Sequence, residues 1–435
     1  MKHLALLCMM LLPVVGLSQT AKQQPDPNQG PITITLDQAL KYAKVNAPQF
    51  RSALMDAGIA KEDRVQARAA LLPNVGFTTG MIYTQPNGTP TGRFIGANGI
   101  REYISQGVAR ESVGFSSIAD YQRAKAAEAL AKARAEVAVR GLVVTTIQAY
   151  YGTIVAQRLT SNAQQAFDEG KHFLDLSQKL ERGGEVAHSD VIKAQMQAND
   201  LQRALQEAQL AEEKAKLTLA VLIFANFNQN FTVVDDLRFA PPLPPREETQ
   251  ELATKNNPEL KAAIAAANAA NHEVSSAIGG HLPSLTVNYF YGIDAANYAT
   301  YTDGIRNLGY QVSATVDLPI WNWGATQSKV KQAQLRRTQA RIELSAAQRQ
   351  AIADLQTFYS EAQVSREQLD LLRQSAELAA DSLRLTTLRY QGGEATALEV
   401  VDAQNALTSA RNNYDNGEVR YRVAIANLQT LTGKF

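Results

Sequence analysis

Tyr390-Gln391-Gly392-Gly393-Glu394-Ala395-Thr396-Ala397-Leu398-Glu399-Val400-Val401-Asp402-Ala403 is a helix reversal. Two adjacent glycines end one helix, because a residue without Cβ enters the left-handed region at little cost. Thr396 and Glu399 then stand three apart, the spacing of a capping box that opens the next helix. Downstream, Val400, Leu407, Tyr414, Tyr421 and Leu428 recur every seven residues, with Ala403, Ala410, Gly417, Ala424 and Leu431 at the second heptad position. A 3.5-residue repeat keeps one seam against a neighbour, and small residues along it bring two backbones close.

The same text stands earlier in the chain. Gly183-Gly184-Glu185 precedes Gly392-Gly393-Glu394 by 209 positions, and Ala194-Gln195 precedes Ala403-Gln404 by the same offset. Asn46-Ala47-Pro48-Gln49 and Leu72-Pro73-Asn74 recur 210 positions later, as Asn256-Asn257-Pro258-Glu259 and Leu282-Pro283-Ser284. Gln148-Ala149-Tyr150-Tyr151 answers to Gln356-Thr357-Phe358-Tyr359 at 208. Landmarks in one order at a near-constant offset mark an internal duplication. Each unit begins with a helix (36–71, then 246–281) and passes the Leu-Pro landmark into a β-rich stretch. A very long helix follows, then the Gly-Gly reversal and a return helix. The expected organisation is an export signal at 1–18, an extended Gln/Pro-rich leader at 19–31, a first repeat at 32–224, a Pro-rich linker at 225–245 and a second repeat at 246–435. The β-hairpins are expected near 75–115 and 285–319, and the helical hairpins near 117–223 and 325–432. At ~1.5 Å rise per residue the outgoing helices reach roughly 90–100 Å, which suits a bundle or a tube and not a globule.

The β stretches follow a period of two. Leu285, Val287, Tyr289 and Tyr291 alternate with Thr286 and Asn288, and Val312, Ala314, Val316 and Leu318 with Gln311, Ser313, Thr315 and Asp317. Val75, Phe77, Met81 and Tyr83 give a looser version in the first unit, with a partner strand near 105–115. One apolar face suits either a sheet packed on a helix or a membrane barrel facing lipid. The N-terminus favours the barrel. Lys2, the apolar run from Leu4 to Val15, and small Gly16 and Ser18 form an export signal cut after Ser18. No later segment offers an uncharged helix long enough to span a bilayer. Two hairpins supply four strands and a closed membrane barrel needs at least ~8, so a barrel requires several copies of the chain.

Composition closes other routes. Aromatic residues are 7 %, and the long tracts are built of Ala, Gln, Leu, Arg and Glu. The single cysteine, Cys8, lies inside the signal, so the mature chain has neither disulfide nor thiolate ligand. Lys2 is the one charged residue of the signal, and its removal leaves 42 basic against 42 acidic residues, a balance that gives no reason to expect nucleic acid. His172, His188, His272 and His281 lack metal-ligand spacing, and neither a nucleophile elbow nor a phosphate loop is present. No metal, cofactor or catalysis is expected.

The duplication, the Leu-Pro entries and the junction Pro319-Ile320-Trp321-Asn322-Trp323-Gly324 resemble the outer-membrane efflux (TolC-like) family over nearly the whole mature chain. The reversal quoted first is similar to that family's tyrosine, glycine and Asp-Val-Leu-Asp-Ala signature. The resemblance implies a mainly α fold with a β-barrel part: a trimer, twelve strands closing over a helical tunnel in the periplasm. It implies an outer-membrane exit duct for efflux or type I secretion. The implied partners are outer-membrane lipid, a periplasmic adaptor and an inner-membrane transporter. By the match, Glu399 and Asp402 take the acidic positions at the constriction, Tyr390 that of the gating tyrosine, and Asp190 that of its first-unit acidic partner. Gly183, Gly184, Gly392 and Gly393 form tips that face the adaptor. Ala395 departs from the pattern, standing where an arginine ties the closed gate. The alternative is a periplasmic coiled-coil adaptor or structural spacer.

Physical chemistry gives each tip residue a second reading. Glu399 closes the capping box whether or not it lines a pore, whereas Asp402 lies beyond capping reach. Three copies would gather six carboxylates around one axis, attracting cations and repelling anions. Trp321 and Trp323 are read as junction packing in preference to interfacial anchors.

Overall fold

Prolines decide where the first helices break. The computed structural model describes residues 32–83, 101–226, 229–237 and 241–433, so the export signal and the leader lie outside the described residues. After β1 (Ile32–Ile34) the chain forms α1 (Leu36–Asn46) and α2 (Pro48–Ala69) as separate helices. The single helix expected over 36–71 is thereby corrected. Ala47 is extended at φ −67, ψ 118, because the ring of Pro48 bars the residue before it from the helical region. Pro48 then serves as the first residue of α2, where a missing N–H costs nothing. The same break recurs in the second repeat, so the expected helix over 246–281 is also two.

The first unit continues through β2 (Asn74–Tyr83), β3 (Arg101–Gly114), α3 (Phe115–Arg182) and α4 (His188–Ile223), followed by β4 (Phe231–Val233). The second repeats the order in α5 (Arg246–Asn256), α6 (Pro258–Gly279) and β5 (Ser284–Ala295). A short hairpin, β6 (Tyr301–Thr302) with β7 (Ile305–Arg306), interrupts it before β8 (Leu308–Asp317), α7 (Ala325–Gln391) and α8 (Ala397–Thr432).

β2, β3, β5 and β8 form one antiparallel sheet in that order, with β2 and β8 at its two open edges. The register places Val75, Ala109, Tyr289 and Val312 side by side on one face, and Asn74, Arg110, Asn288 and Ser313 on the other. The apolar face is bare: Val75 is 79 % exposed, Phe77 71 % and Val312 60 %. No helix covers it. On the opposite face Arg110 donates to Asn288 at 2.8 Å and Asn288 donates to Ser313. Trp321 and Trp323 are both exposed and touch mainly each other, edge to face at 5.9 Å between centroids. The packing expected for them is corrected. Trp323 (φ +57) and Gly324 (φ +80) both turn left-handed there, at the junction into α7.

The main core sits halfway along the molecule, where Val143, Tyr150 and Ile154 of α3 meet Leu219 of α4 and Ile34 of β1. There β1 pairs parallel with β4, and Tyr150 donates its hydroxyl to the carbonyls of Ile34 and Val234. The linker between repeats is strapped to this belt. Tyr421 donates to the Pro241 carbonyl at 2.7 Å, and Arg158 holds Asp235 by two hydrogen bonds at 2.6 and 2.8 Å. Arg158 also pairs with Asp415 and Glu418 of α8. Below the belt α3 packs on α4 and on α8, and α8 on α7. Above it α3 packs on α2 and on α6, and α6 on α7.

Candidate functional site

Both helical hairpins turn at the same end of the molecule, and the four helices meet there in a small dry cluster. Phe173 from α3, Ala194 from α4, Tyr390 from α7, and Ala397 and Val400 from α8 are all buried. Tyr390 is 2 % exposed, and its ring stands 5.2 Å from that of Phe173, tilted by 60°. Its hydroxyl donates to Ser177 Oγ at 3.1 Å, and Ser177 in turn donates to the Phe173 carbonyl at 2.9 Å. Every polar atom in this chain of contacts is satisfied, which is what permits it to be buried. Burial pushes the Tyr390 phenol above its usual pKa, and the nearby Asp190 charge pushes it further against the Ser177 hydrogen bond.

The two reversals are alike. In each pair the first glycine (Gly183, φ −77; Gly392, φ −83) has an ordinary backbone, and the second (Gly184, φ +78; Gly393, φ +77) is left-handed. Glu185 N–H reaches back to the Leu180 carbonyl and Glu394 N–H to that of Arg389, both at 2.9 Å. A Cβ at Gly184 or Gly393 would meet nothing within 4 Å, so backbone conformation alone asks for glycine.

The helices that leave these turns start differently. Thr396 and Glu399 form the full capping box, each side chain bonded to the other's amide. Those bonds, the Thr396 amide first, hold the Glu399 carboxyl below its usual range, and Arg389 at 3.6 Å adds to the effect. Glu399 is therefore committed to the start of α8. Asp402 is exposed one turn further on, and Asp190, partly exposed on α4, faces Lys193 at 3.4 Å. Tyr390 and Asp190 are brought together; Glu399 and Asp402 share the solvent side of α8. In α4 no side chain caps the helix, and His188 Nδ1 instead meets Glu181 Oε1 at 2.6 Å across the turn.

Sequence reasoning did not single out Ser177, Phe173 or Arg389. Phe173 and Ser177 are four apart on one face of α3, a signal that was legible, but a serine inside a helix full of Gln, Ser and Thr gives no sign of burial. Ala395 packs against the apolar cluster.

Known proteins resemble this chain over most of its length. The pattern of the family described as "Outer membrane efflux protein" matches residues 250–434, the second repeat. "Outer membrane protein TolC" of Vibrio cholerae is 27 % identical over 405 residues, covering 92 % of this chain and 90 % of that one. "Alkaline protease secretion protein AprF" of Pseudomonas aeruginosa is 23 % identical, covering 89 % and 82 %. Among solved structures, the Campylobacter jejuni CmeC outer membrane channel superposes with a TM-score of 0.81 at 17 % identity, covering 92 % of this chain and 85 % of that one.

Proposed function

Since the chain belongs to the outer membrane efflux protein family, we propose that it is an exit duct through the outer membrane, working as a homotrimer and extending into the periplasm. The observation that carries this reading is the four-stranded sheet, bare on its apolar face and open at both edges, mounted on duplicated helical hairpins. Such a sheet is unstable alone in water, with unpaired edge amides and a wide apolar surface. Three copies close it into twelve strands with the apolar face in lipid and the polar face lining the passage.

The helical hairpins then form the periplasmic tunnel, and their joined tips form its closed end. Tyr390 fastens the second hairpin to the first in the closed state, and Asp402 supplies the exposed acidic ring at the constriction. Glu399 shapes the start of α8, with Asp190 beside Tyr390. The turns at Gly183-Gly184 and Gly392-Gly393 face a periplasmic adaptor, which joins the duct to an inner-membrane transporter. The cargo is small molecules or polypeptide. The reading assigns the chain transport and no catalysis.

Planar-bilayer recording on detergent-extracted protein tests it. The expected result is a cation-preferring conductance from a species with the mass of three chains. A protein that stays soluble and monomeric without detergent, and passes no current, would be a periplasmic spacer instead.

A further inference from the structure

We infer that the polar face of the sheet binds apolar organic anions as they pass, with Arg110 on β3 taking the negative group and Phe290 on β5 the apolar body. The inference rests on the duct reading above and adds a class of cargo. Strand alternation assigns the face: it holds Asn74, Arg110, Asn288 and Ser313, and every second residue from each along its own strand. Among the described strands its charged residues are Asp317 toward the helices, Glu102 and Asp294 toward the outer rim, and Arg110 between them. Arg110 is the one cation on that face. In a closed barrel each copy adds one guanidinium at the same height, and a ring of such groups attracts anions.

Its surroundings hold Arg110 ready without neutralising it. The side chain is exposed, and Nε donates to Asn288 Oδ1 at 2.8 Å while Asn288 donates in turn to Ser313 Oγ at 3.3 Å. This relay fixes the guanidinium through Nε and leaves both Nη groups for a ligand, since no carboxylate pairs with Arg110 among the described residues. The planar fork suits a carboxylate, sulfonate or phosphate.

Phe290 breaks the alternation that makes this face polar. Its neighbours there are Asn288 and Gly292 along β5, Gln311 across on β8 and Val108 across on β3. The ring is half-buried and belongs to none of the buried clusters of the chain. Gly292 cannot be replaced by a side chain that would cover it, because a Cβ there would collide with the Ser105 carbonyl, and its partner on β8 is also a glycine, Gly309. The ring therefore stands clear of the wall. A large aromatic that fills no core and faces an aqueous passage breaks a local rule, and such breaks mark functional positions. Arg110 pairs with Asn288, two residues before Phe290, so the cation and the ring are diagonal neighbours on adjacent strands. Diagonal neighbours stand ~7–8 Å apart, the length of a small ring system bearing one anionic group. A bare anion would use only Arg110 and a neutral apolar molecule only Phe290; the pair selects molecules that carry both features.

Planar-bilayer recording with naphthalenesulfonate added on the barrel side tests this. The compound should lower the mean current and add noise at concentrations where methanesulfonate, which lacks the apolar body, and naphthalenemethanol, which lacks the charge, do neither. Arg110→Gln and Phe290→Ser should each raise the half-effective concentration roughly fivefold. Arg110→Lys keeps the charge without the fork and should fall between Arg110→Gln and the unaltered chain. Where Arg110→Gln does not assemble, Arg110→Lys and Phe290→Ser decide the matter, each read against its own current before the addition. A conducting trimer that responds to naphthalenesulfonate no more than to methanesulfonate overturns the site while the duct stands. So does a response that is the same in the variants as in the unaltered chain. An unaltered chain that is monomeric and passes no current overturns both.

Discussion

Asp402 and Glu399 are three residues apart on α8, yet their chemistry separates them. Glu399 spends its carboxylate on the Thr396 amide and hydroxyl, whereas Asp402 lies too far into the helix to satisfy any free amide. Asp402→Ala should therefore change what passes through the duct: lower cation preference and weaker block by trivalent metal ions from the tip side, read by single-channel recording. Glu399→Ala should leave selectivity nearly unchanged and loosen the start of α8. That loosening should mimic acidification, since a carboxyl held below its ordinary range stabilises the fold above that range and ceases to do so as pH falls through its folded value. Unchanged selectivity in an intact Asp402→Ala trimer would place the acidic ring elsewhere. Tyr390 and Ser177 offer a sharper contrast. Tyr390→Phe removes one hydrogen bond and leaves Ser177 still bonded to the Phe173 carbonyl, a loss of about 0.5–1.5 kcal/mol. Ser177→Ala strands a buried phenol, at about 1–3 kcal/mol. The serine variant should open more often in bilayers than the phenylalanine variant, although it is the tyrosine that the family pattern points to. The raised phenol of Tyr390 gives the pH sign: the cluster holds below the ordinary tyrosine value of 10.0 and loosens as pH rises above it.

At the scale of elements, the glycine pairs show how far a motif can be trusted. Of the four tip glycines only Gly184 and Gly393 have positive φ, so Gly184→Ala and Gly393→Ala should each cost roughly 1 kcal/mol, while Gly392→Ala should be nearly free. Thermal melts of the three variants check this, and equal losses at Gly392 and Gly393 would contradict the assigned backbone. The sequence showed a reversal but could not say which glycine makes it, because either residue can take the left-handed place. The long helices, the sheet and the duplication were legible because each is a repeated local pattern, of period seven, two or about 209. What escaped was short or distant. Pro48 and Pro258 were read as landmarks, although a proline inside an apolar pattern is itself the signal for a break. β1 and β4 are three residues each and pair across nearly two hundred positions, too short for any period to show. The ties of Arg158 to Asp235, Asp415 and Glu418 join elements from both repeats, and charge alone does not reveal such partners. The acidic candidates at the tip were found by likeness, whereas their separation into a capping residue and an exposed one needed hydrogen bonds.

Across the whole molecule, the sheet tells which solvent the chain is built for. Its two faces differ in kind: one bears Val75, Phe77, Tyr289 and Val312 in the open, and the other carries a ladder of Arg110, Asn288 and Ser313. A sheet of a water-soluble spacer would hide the first face and expose the second, because several hundred Å² of contiguous apolar surface invites aggregation. Here no element among the described residues covers the apolar face, and the aromatic pair at the β8–α7 junction is also exposed at that end. Lipid is the medium in which such a face costs nothing, and adjacent positions of one strand can test it. Val312 and Ser313 are neighbours at the centre of β8 and point to opposite faces. In lipid, Val312→Lys should destabilise the assembled barrel by about 2–4 kcal/mol, the usual cost of a cation near the bilayer midplane. Ser313→Lys, facing the aqueous passage, should assemble normally and shift the conductance toward anions. In water, with the valine face bare as it stands here, a lysine at Val312 would improve solubility and cost nothing in recovery. The measurement is the fraction of protein recovered from outer membranes as heat-resistant trimer, compared between the two variants. Full recovery of Val312→Lys together with loss of Ser313→Lys would turn the sheet inside out and remove the barrel from the reading.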